Sequence, residues 1–258
     1  MSTVSIAGDV APLILERRQG GVAFLTLNRP AQYNALSDEL LAALESTLDA
    51  LSSDVSVHVV VLGGAGKAFC AGHDLKQMKA NPDLEYYRRL FDDCSRVMMR
   101  IQSLPQPVIA RVHGIATAAG CQLVAMCDLA VAANDARFAV SGINVGLFCA
   151  TPSVALSRNV GRKAAFEMLA TGDFIDAPTA VARGLINRCV PAERLDQEIG
   201  RLAEAIAGKA LFYRQLQVDI GTAYRLAGEA MACNMIDEVA QEGVAAFIEK
   251  RSPNWRPD

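Results

Sequence analysis

Two short runs of small residues carry the chemistry this chain is built for. Ala118-Ala119-Gly120-Cys121-Gln122 reads as a helix start. There the unpaired backbone N–H groups and the positive end of the dipole face outward, and small side chains let a ligand approach the backbone. Phe69-Cys70-Ala71-Gly72-His73-Asp74-Leu75 forms a second small-residue turn. Two such turns can aim N–H donors at one carbonyl oxygen and stabilise negative charge on it. Either turn alone is equally well explained as a tight packing corner. Proton carriers are scarce around them. Gln122 can orient a water through its amide but is no useful proton acceptor, and Gly142 offers no side chain. His73 is a candidate because imidazole titrates near neutrality.

The surrounding elements must position these turns. Leu13–Arg17 and Val22–Asn28 flank Gly20-Gly21, a β-hairpin pattern that Asn28-Arg29-Pro30 ends. Ser37 can N-cap a helix to about Leu51, with Leu40, Leu41, Leu44, Leu48 and Leu51 on one face. Val57–Leu62 is a continuous apolar run, as in a strand buried on both faces. A long helix is expected over Leu84–Ser103 and a buried strand over Val108–Val112. After the small-residue helix, a strand spans Leu129–Ala133, Arg137-Phe138-Ala139 forms a short segment, and helices lie near Pro152–Val160 and Lys163–Ala170. The alternation predicts an α/β fold. From about Leu195 the chain reads as helical to its end. The domain division expected is therefore residues 1–194 as the core with the site, and 195–258 as a helical region for oligomerisation and completion of the site.

Composition narrows the function classes. Of 258 residues 52% are apolar, which fits a folded domain with a sizeable core. A net charge of −3 with scattered basic residues gives no nucleic-acid surface. Seven cysteines without a C-x-x-C pair speak for a reduced interior rather than a disulfide framework. Asp128 interrupts the longest apolar stretch, Leu123–Ala133, so no membrane insertion is expected. Met1–Pro12 lacks a basic run and an apolar h-region, and the expectation is a soluble cytoplasmic protein.

Several motifs in order then point to one family. Asn28-Arg29-Pro30 with Asn34-Ala35-Leu36, Ala68-Phe69-Cys70-Ala71-Gly72-His73-Asp74-Leu75, Pro107-Val108-Ile109-Ala110 with Gly114, and the Ala-Ala-Gly-Cys helix with Cys127-Asp128 resemble the crotonase (enoyl-CoA hydratase/isomerase) family. Gly172-Asp173, Ala182-Gly184-Leu185 with Val190, and Phe247-Ile248-Glu249-Lys250-Arg251 extend the likeness over nearly the whole chain. The resemblance implies a spiral of ββα turns with a C-terminal helical region, assembled as a homotrimer or a dimer of trimers. It implies a lyase or isomerase of fatty acid metabolism. No tightly bound cofactor or metal is expected; coenzyme A enters as part of an acyl-CoA substrate or ligand.

The resemblance also assigns roles. The thioester oxygen would sit between the backbone N–H groups of His73 and Ala119. Arg29, Ala71, Asp74 and Leu75, with Phe247 and Lys250 from the terminal helix, match contacts to coenzyme A. Hydratases of the family use two glutamates, and their positions correspond to Gln122 and Gly142. Acids of other relatives correspond to Cys149 and Ala150, so all four positions lack a carboxylate. A catalytic set of His73, Ala119, Gln122 and Gly142 is thus unusual, and ordinary enoyl-CoA hydration is not expected. Ala207-Gly208-Lys209-Ala210 also departs from the usual helix connection. Two readings follow. One is an enzyme whose substrate supplies its own base, as in decarboxylation or ring-closing condensation, with space beside Gly142 for an anion or a bulky acyl group. The other is a non-catalytic acyl-CoA-binding protein or scaffold. His113 and Asp128 read as structural, His58 at a strand entry carries no signal, and Cys149 reads as a small buried residue.

Overall fold

The computed structural model describes residues 11–204 and 218–254; the Met1–Pro12 expectation falls almost wholly outside them, and the Ala207–Ala210 departure wholly so. Strands β1 (Ile14–Gln19) and β2 (Val22–Leu27) form the antiparallel hairpin, with Gly20 and Gly21 at φ of +57° and +75°. Both turn residues need positive φ in such a two-residue connection, which glycine adopts without strain. Helix α1 (Asp38–Ser52) starts where Ser37 accepts a hydrogen bond from the Leu40 N–H, and buries the five leucines of its apolar stripe.

Strands β3 (Val59–Gly64), β4 (Val108–Val112), β6 (Leu129–Ala133) and β9 (Arg188–Val190) pair in parallel beyond β2, giving the order β1-β2-β3-β4-β6-β9. A second, small sheet joins β5 (Ile115–Thr117), β7 (Arg137–Ala139) and β8 (Ile175–Asp176). Single bridges, Leu36 with His73 and Cys70 with Ala116, carry that pairing back toward the first motif turns. Each turn of the chain thus lays a strand in the large sheet, a short extended piece in the small one, and then a helix. This is the expected α/β spiral.

The long apolar strand is explained by its two faces. Val60 and Leu62 enter the main core under the helices. Val59 and Val61 join Ile109 and Val131 on the other side, covered by Leu195, Ile199 and Leu202 of helix α8 (Leu195–Glu204). The chain forms two compact units, Met1–Ile206 and Ala207–Asp258. The division expected at 194/195 therefore moves to 206/207, because α8 uses its apolar face to close the sheet. In the second unit, helices span Ile220–Met235 and Glu238–Glu249.

Short elements escaped the sequence reading: β5, β8, β9, helix α2 (Leu75–Ala80) and helix α7 (Ala177–Ala182). Each is two to six residues long, below the length at which periodicity is legible. The longer elements lie where expected, with helix α3 spanning Leu84–Ser103.

Candidate active site

Asn34 anchors the site from below. It is fully buried at φ 55°, accepts from the Arg29 N–H at 2.9 Å, and donates to the carbonyls of Ala65, Ala68 and Phe69 at 2.9, 2.8 and 3.2 Å. One side-chain amide therefore satisfies carbonyls in the segment that leads into the Ala71–Leu75 turn. Arg29 completes the clamp, donating through Nη1 to Ala35 O at 2.5 Å and pairing through Nη2 with Asp74 at 3.0 Å. Asp74 also caps α2 by accepting from the Lys76 and Gln77 N–H groups. Arg29 and Asp74, read as contacts to coenzyme A, are thus engaged with each other and with the fold.

Helix α4 (Ala119–Met126) begins at a strained corner. Ala118 holds φ 50° and ψ −121°, a region sparsely populated by residues with a Cβ. Its N–H donates to Ala139 O at 3.0 Å, which turns the next N–H, that of Ala119, off the helix end. The other turn presses against this corner. Gly72 lies at φ +90°, and a Cβ there would stand 2.9 Å from Ala118 Cβ, 3.1 Å from Thr117 O and 3.3 Å from Ala119 N. Gly120 meets Cys70 with the same closeness, since an added Cβ would fall 2.1 Å from its carbonyl oxygen. The Leu36 N–H donates to the Gly72 carbonyl at 2.7 Å, and the Leu36 carbonyl accepts from the Asp74 N–H at 3.0 Å. That pairing leaves the His73 N–H on the opposite side. Among the described residues, neither the His73 N–H nor the Ala119 N–H has a protein acceptor.

Both residues line a cavity of about 240 Å³, walled largely by apolar groups that include Met78, Phe91, Leu147, Phe148 and Cys149. Ala71, Leu75 and Gly142 also reach it. Among the described residues, no lysine, arginine or carboxylate lines it. Phe91 of α3 was invisible as a site residue because its spacing reads as core, and Met78 because α2 is so short. Ser141, another cavity residue, shares a 2.7 Å hydrogen bond with Thr117.

Gln122 sits one turn along α4 from Ala119, buried, with Oε1 lacking a partner. The His73 ring packs edge-on to Phe91 at 5.5 Å, and both ring nitrogens are buried. Burial pushes the imidazole pKa down to about 4, so the ring is neutral at pH 7. Protonation must then be worse in the folded than in the unfolded chain, whose histidine titrates at about 6.5. The unfolded state binds more protons between these values, so stability is full above about pH 6.5 and falls as the pH drops toward 4. His73→Phe is expected to shrink the stability lost between about pH 7 and pH 4.5 by about 2–3 kcal/mol, read from denaturant melts. An unchanged loss would remove His73 as its source.

Gly142 corrects an expectation. No room for an anion or acyl group opens from its missing side chain: a Cβ would stand 2.4 Å from Cys149 Sγ and 2.5 Å from Leu147 O. The 142–149 turn folds back, with the Leu147 N–H donating to Gly142 O at 3.0 Å, and Cys149 fills that face. Burial raises the Cys149 thiol, opposed by a hydrogen bond from the Gly142 backbone. His113 and Asp128 are structural as read: His113 Nε2 bonds Gly66 O at 2.9 Å, and Asp128 accepts from the Val108 N–H at 2.7 Å. Phe247 and Lys250 lie in the second unit, Phe247 exposed on the last helix and Lys250 just beyond it at φ 55°.

Residues 17–258 match the family model described as enoyl-CoA hydratase/isomerase. The chain belongs to the enoyl-CoA hydratase/isomerase family. Among relatives of this family, enoyl-CoA hydratase domain-containing protein 3, mitochondrial, of Rattus norvegicus is 46% identical, over 93% of this chain and 83% of its own. The stretches Ala116–Leu123 and Asn144–Cys149 resemble that same protein. A solved enoyl-CoA hydratase of Mycobacterium smegmatis superposes with a TM-score of 0.90 at 62% identity, covering 95% of this chain and 99% of that one. The human domain-containing protein 3 structure gives 0.88 at 44%, covering 94% and 100%. These comparisons correct the cytoplasmic expectation, because the rat, mouse, human and Xenopus laevis relatives are all named mitochondrial. Free thiols and scattered charge report redox conditions and solubility, and neither encodes a compartment. Among the described residues, no helix is long and apolar enough to cross a membrane.

Proposed function

We propose that this family member binds an acyl-CoA thioester with its carbonyl oxygen between the His73 and Ala119 N–H groups, and acts on it through an enolate-type intermediate. The observation that carries the reading is the contact of the Gly72 turn with the start of α4, which brings two acceptor-free N–H groups to one apolar cavity. Fixed backbone donors need no reorganisation when charge develops, and each contributes about 3–4 kcal/mol when judged by its removal. The α4 dipole adds to them at the same oxygen.

Hydration of a simple enoyl ester is not favoured. It requires groups that take and return a proton near neutrality, and positions 122, 142, 149 and 150 carry Gln, Gly, Cys and Ala. A substrate that brings its own base fits better. Decarboxylation loses ground because, among the described residues, no cation lines the cavity to hold a carboxylate; an intramolecular condensation does not need one. The missing carboxylates favour a second reading, a protein that holds acyl-CoA without turnover. Coenzyme A would run past Ala71 and Leu75, which line the cavity.

Calorimetric titration with coenzyme A and a panel of acyl-CoA esters tests binding, and solvent-deuterium exchange at the α-carbon tests chemistry. Binding and exchange are expected in the wild type and lost in Ala119→Trp, which fills the site. Binding without exchange would leave the non-catalytic reading, and no binding to any ester would overturn both.

A further inference from the structure

Ala118 occupies a conformation that its side chain opposes. The chain meets positive φ with glycine at eight described positions, Gly72 and Gly114 beside this corner among them. At 118 it keeps a Cβ, at φ 50° and ψ −121°. That combination lies outside the left-handed helical well that other residues visit, and near the first central position of a type II′ turn, where glycine dominates. Glycine at 118 would therefore relieve the strain. A local rule broken without a packing reason gathers at sites that have to be held in place.

What is held here is the peptide that follows. It carries the Ala118 carbonyl at one end and the Ala119 N–H at the other. The carbonyl accepts from the Gln122 N–H at 3.1 Å, and the Ala118 N–H is fixed on Ala139 O at 3.0 Å. Rotation of this one peptide would swing the Ala119 N–H away from the cavity, breaking a single helix-end hydrogen bond. Glycine at 118 would open further backbone minima to that rotation. Alanine closes them, because its Cβ excludes most ψ values at positive φ. The methyl group bears on the other donor as well. A Cβ built on Gly72 would stand 2.9 Å from Ala118 Cβ, so the methyl fills the gap between the two turns. Ala118 also lines the cavity.

Resting on the thioester reading, we propose that Ala118 is a positioning residue, whose strained backbone and methyl group fix the direction of the Ala119 N–H and its spacing from the His73 N–H. It touches no reacting atom and acts through its neighbour. Stability and carbonyl binding therefore pull in opposite directions at this position: the residue that would relax the corner is the one that would loosen the donor.

The test is calorimetric titration of the full chain with butyryl-CoA and with S-butyl-CoA, the thioether in which a methylene replaces the carbonyl. Two donors on the carbonyl oxygen are expected to make the wild type prefer the thioester by at least about tenfold. Ala118→Gly is expected to cut that preference to about threefold or less, through weaker thioester binding. The same variant should hold the wild-type melting temperature or raise it by up to about 4 °C. Infrared spectra of butyryl-CoA labelled with ¹³C at the thioester carbon give a second readout. Donors lower the carbonyl stretch on binding, and that shift should shrink in Ala118→Gly. A preference and a carbonyl shift equal to wild type, or a melt lowered by more than about 4 °C, would overturn the role of Ala118 while leaving the thioester reading intact. Equal wild-type affinities for thioester and thioether would overturn the thioester reading, and the role of Ala118 with it.

Discussion

Gly72→Ala is expected to weaken acyl thioester binding by at least about a hundredfold, some 2.7 kcal/mol, and to lower stability by about 2–4 kcal/mol. Two causes add. The residue sits at φ +90°, where a Cβ strains the backbone, and that Cβ would be wedged 2.9 Å from Ala118 Cβ and 3.1 Å from Thr117 O. Neither neighbour can yield cheaply. Ala118 already occupies a sparsely populated conformation, held by its bond to Ala139 O, and Thr117 is fixed in β5 with its hydroxyl on Ser141. The strain would be relieved by parting the two turns, which separates the His73 and Ala119 donors. Gly200→Ala on α8 is the control: a Cβ there meets nothing within 4 Å. Alanine in a helix should then stabilise by up to about 1 kcal/mol. Calorimetry with an acyl-CoA and thermal melts of both variants check the pair. A Gly72→Ala protein that binds like the wild type would show that the close contact of the turns does not position the donors.

Restoring both family glutamates is not expected to restore hydration. If the absent carboxylates were the only departure, Gln122→Glu with Gly142→Glu would produce crotonyl-CoA hydration. The structure argues otherwise at Gly142. Its Cβ would fall within 2.5 Å of the Leu147 carbonyl oxygen and 2.4 Å of Cys149 Sγ. A backbone oxygen cannot swing aside as a side-chain tip can, so the whole 142–149 turn must refold. Gly142→Glu should lose about 3 kcal/mol or more. Gln122→Glu alone is nearly isosteric, and at a buried position it costs about 1–3 kcal/mol at neutral pH through desolvation of the new carboxylate. The double variant is expected to show no crotonyl-CoA hydration above background by loss of the enoyl absorbance, with a melt well below wild type. A folded double variant that hydrates crotonyl-CoA would show that the 142–149 turn adapts, and that the pocket is still that of a hydratase.

Some of the site was legible without coordinates because it depends on residue type at fixed spacing. The order of the small-residue turns identified both donor-bearing segments, and glutamine at 122 with glycine at 142 announced the missing carboxylates. The protein partners of Arg29 and Asp74 were not legible for a related reason. A charged pair in a ligand-binding motif looks the same in sequence whether it faces the ligand or its own backbone. Only the Nη1 bond to Ala35 O and the 3.0 Å pairing with Asp74 show what occupies them.

The sequence by itself determined the α/β alternation, the long helices and strands, and the chemical inventory of the site. Those rest on local periodicity, capping residues such as Ser37, and side-chain identity, all of which act over a few residues. Tertiary structure alone decided that α8 closes the sheet, that Cys149 and Leu147 occupy the face beside Gly142, and that the His73 ring is buried against Phe91. These outcomes depend on which segments, tens of residues apart, come within van der Waals distance. That is settled by packing the whole core at once, and no short stretch of chain contains it.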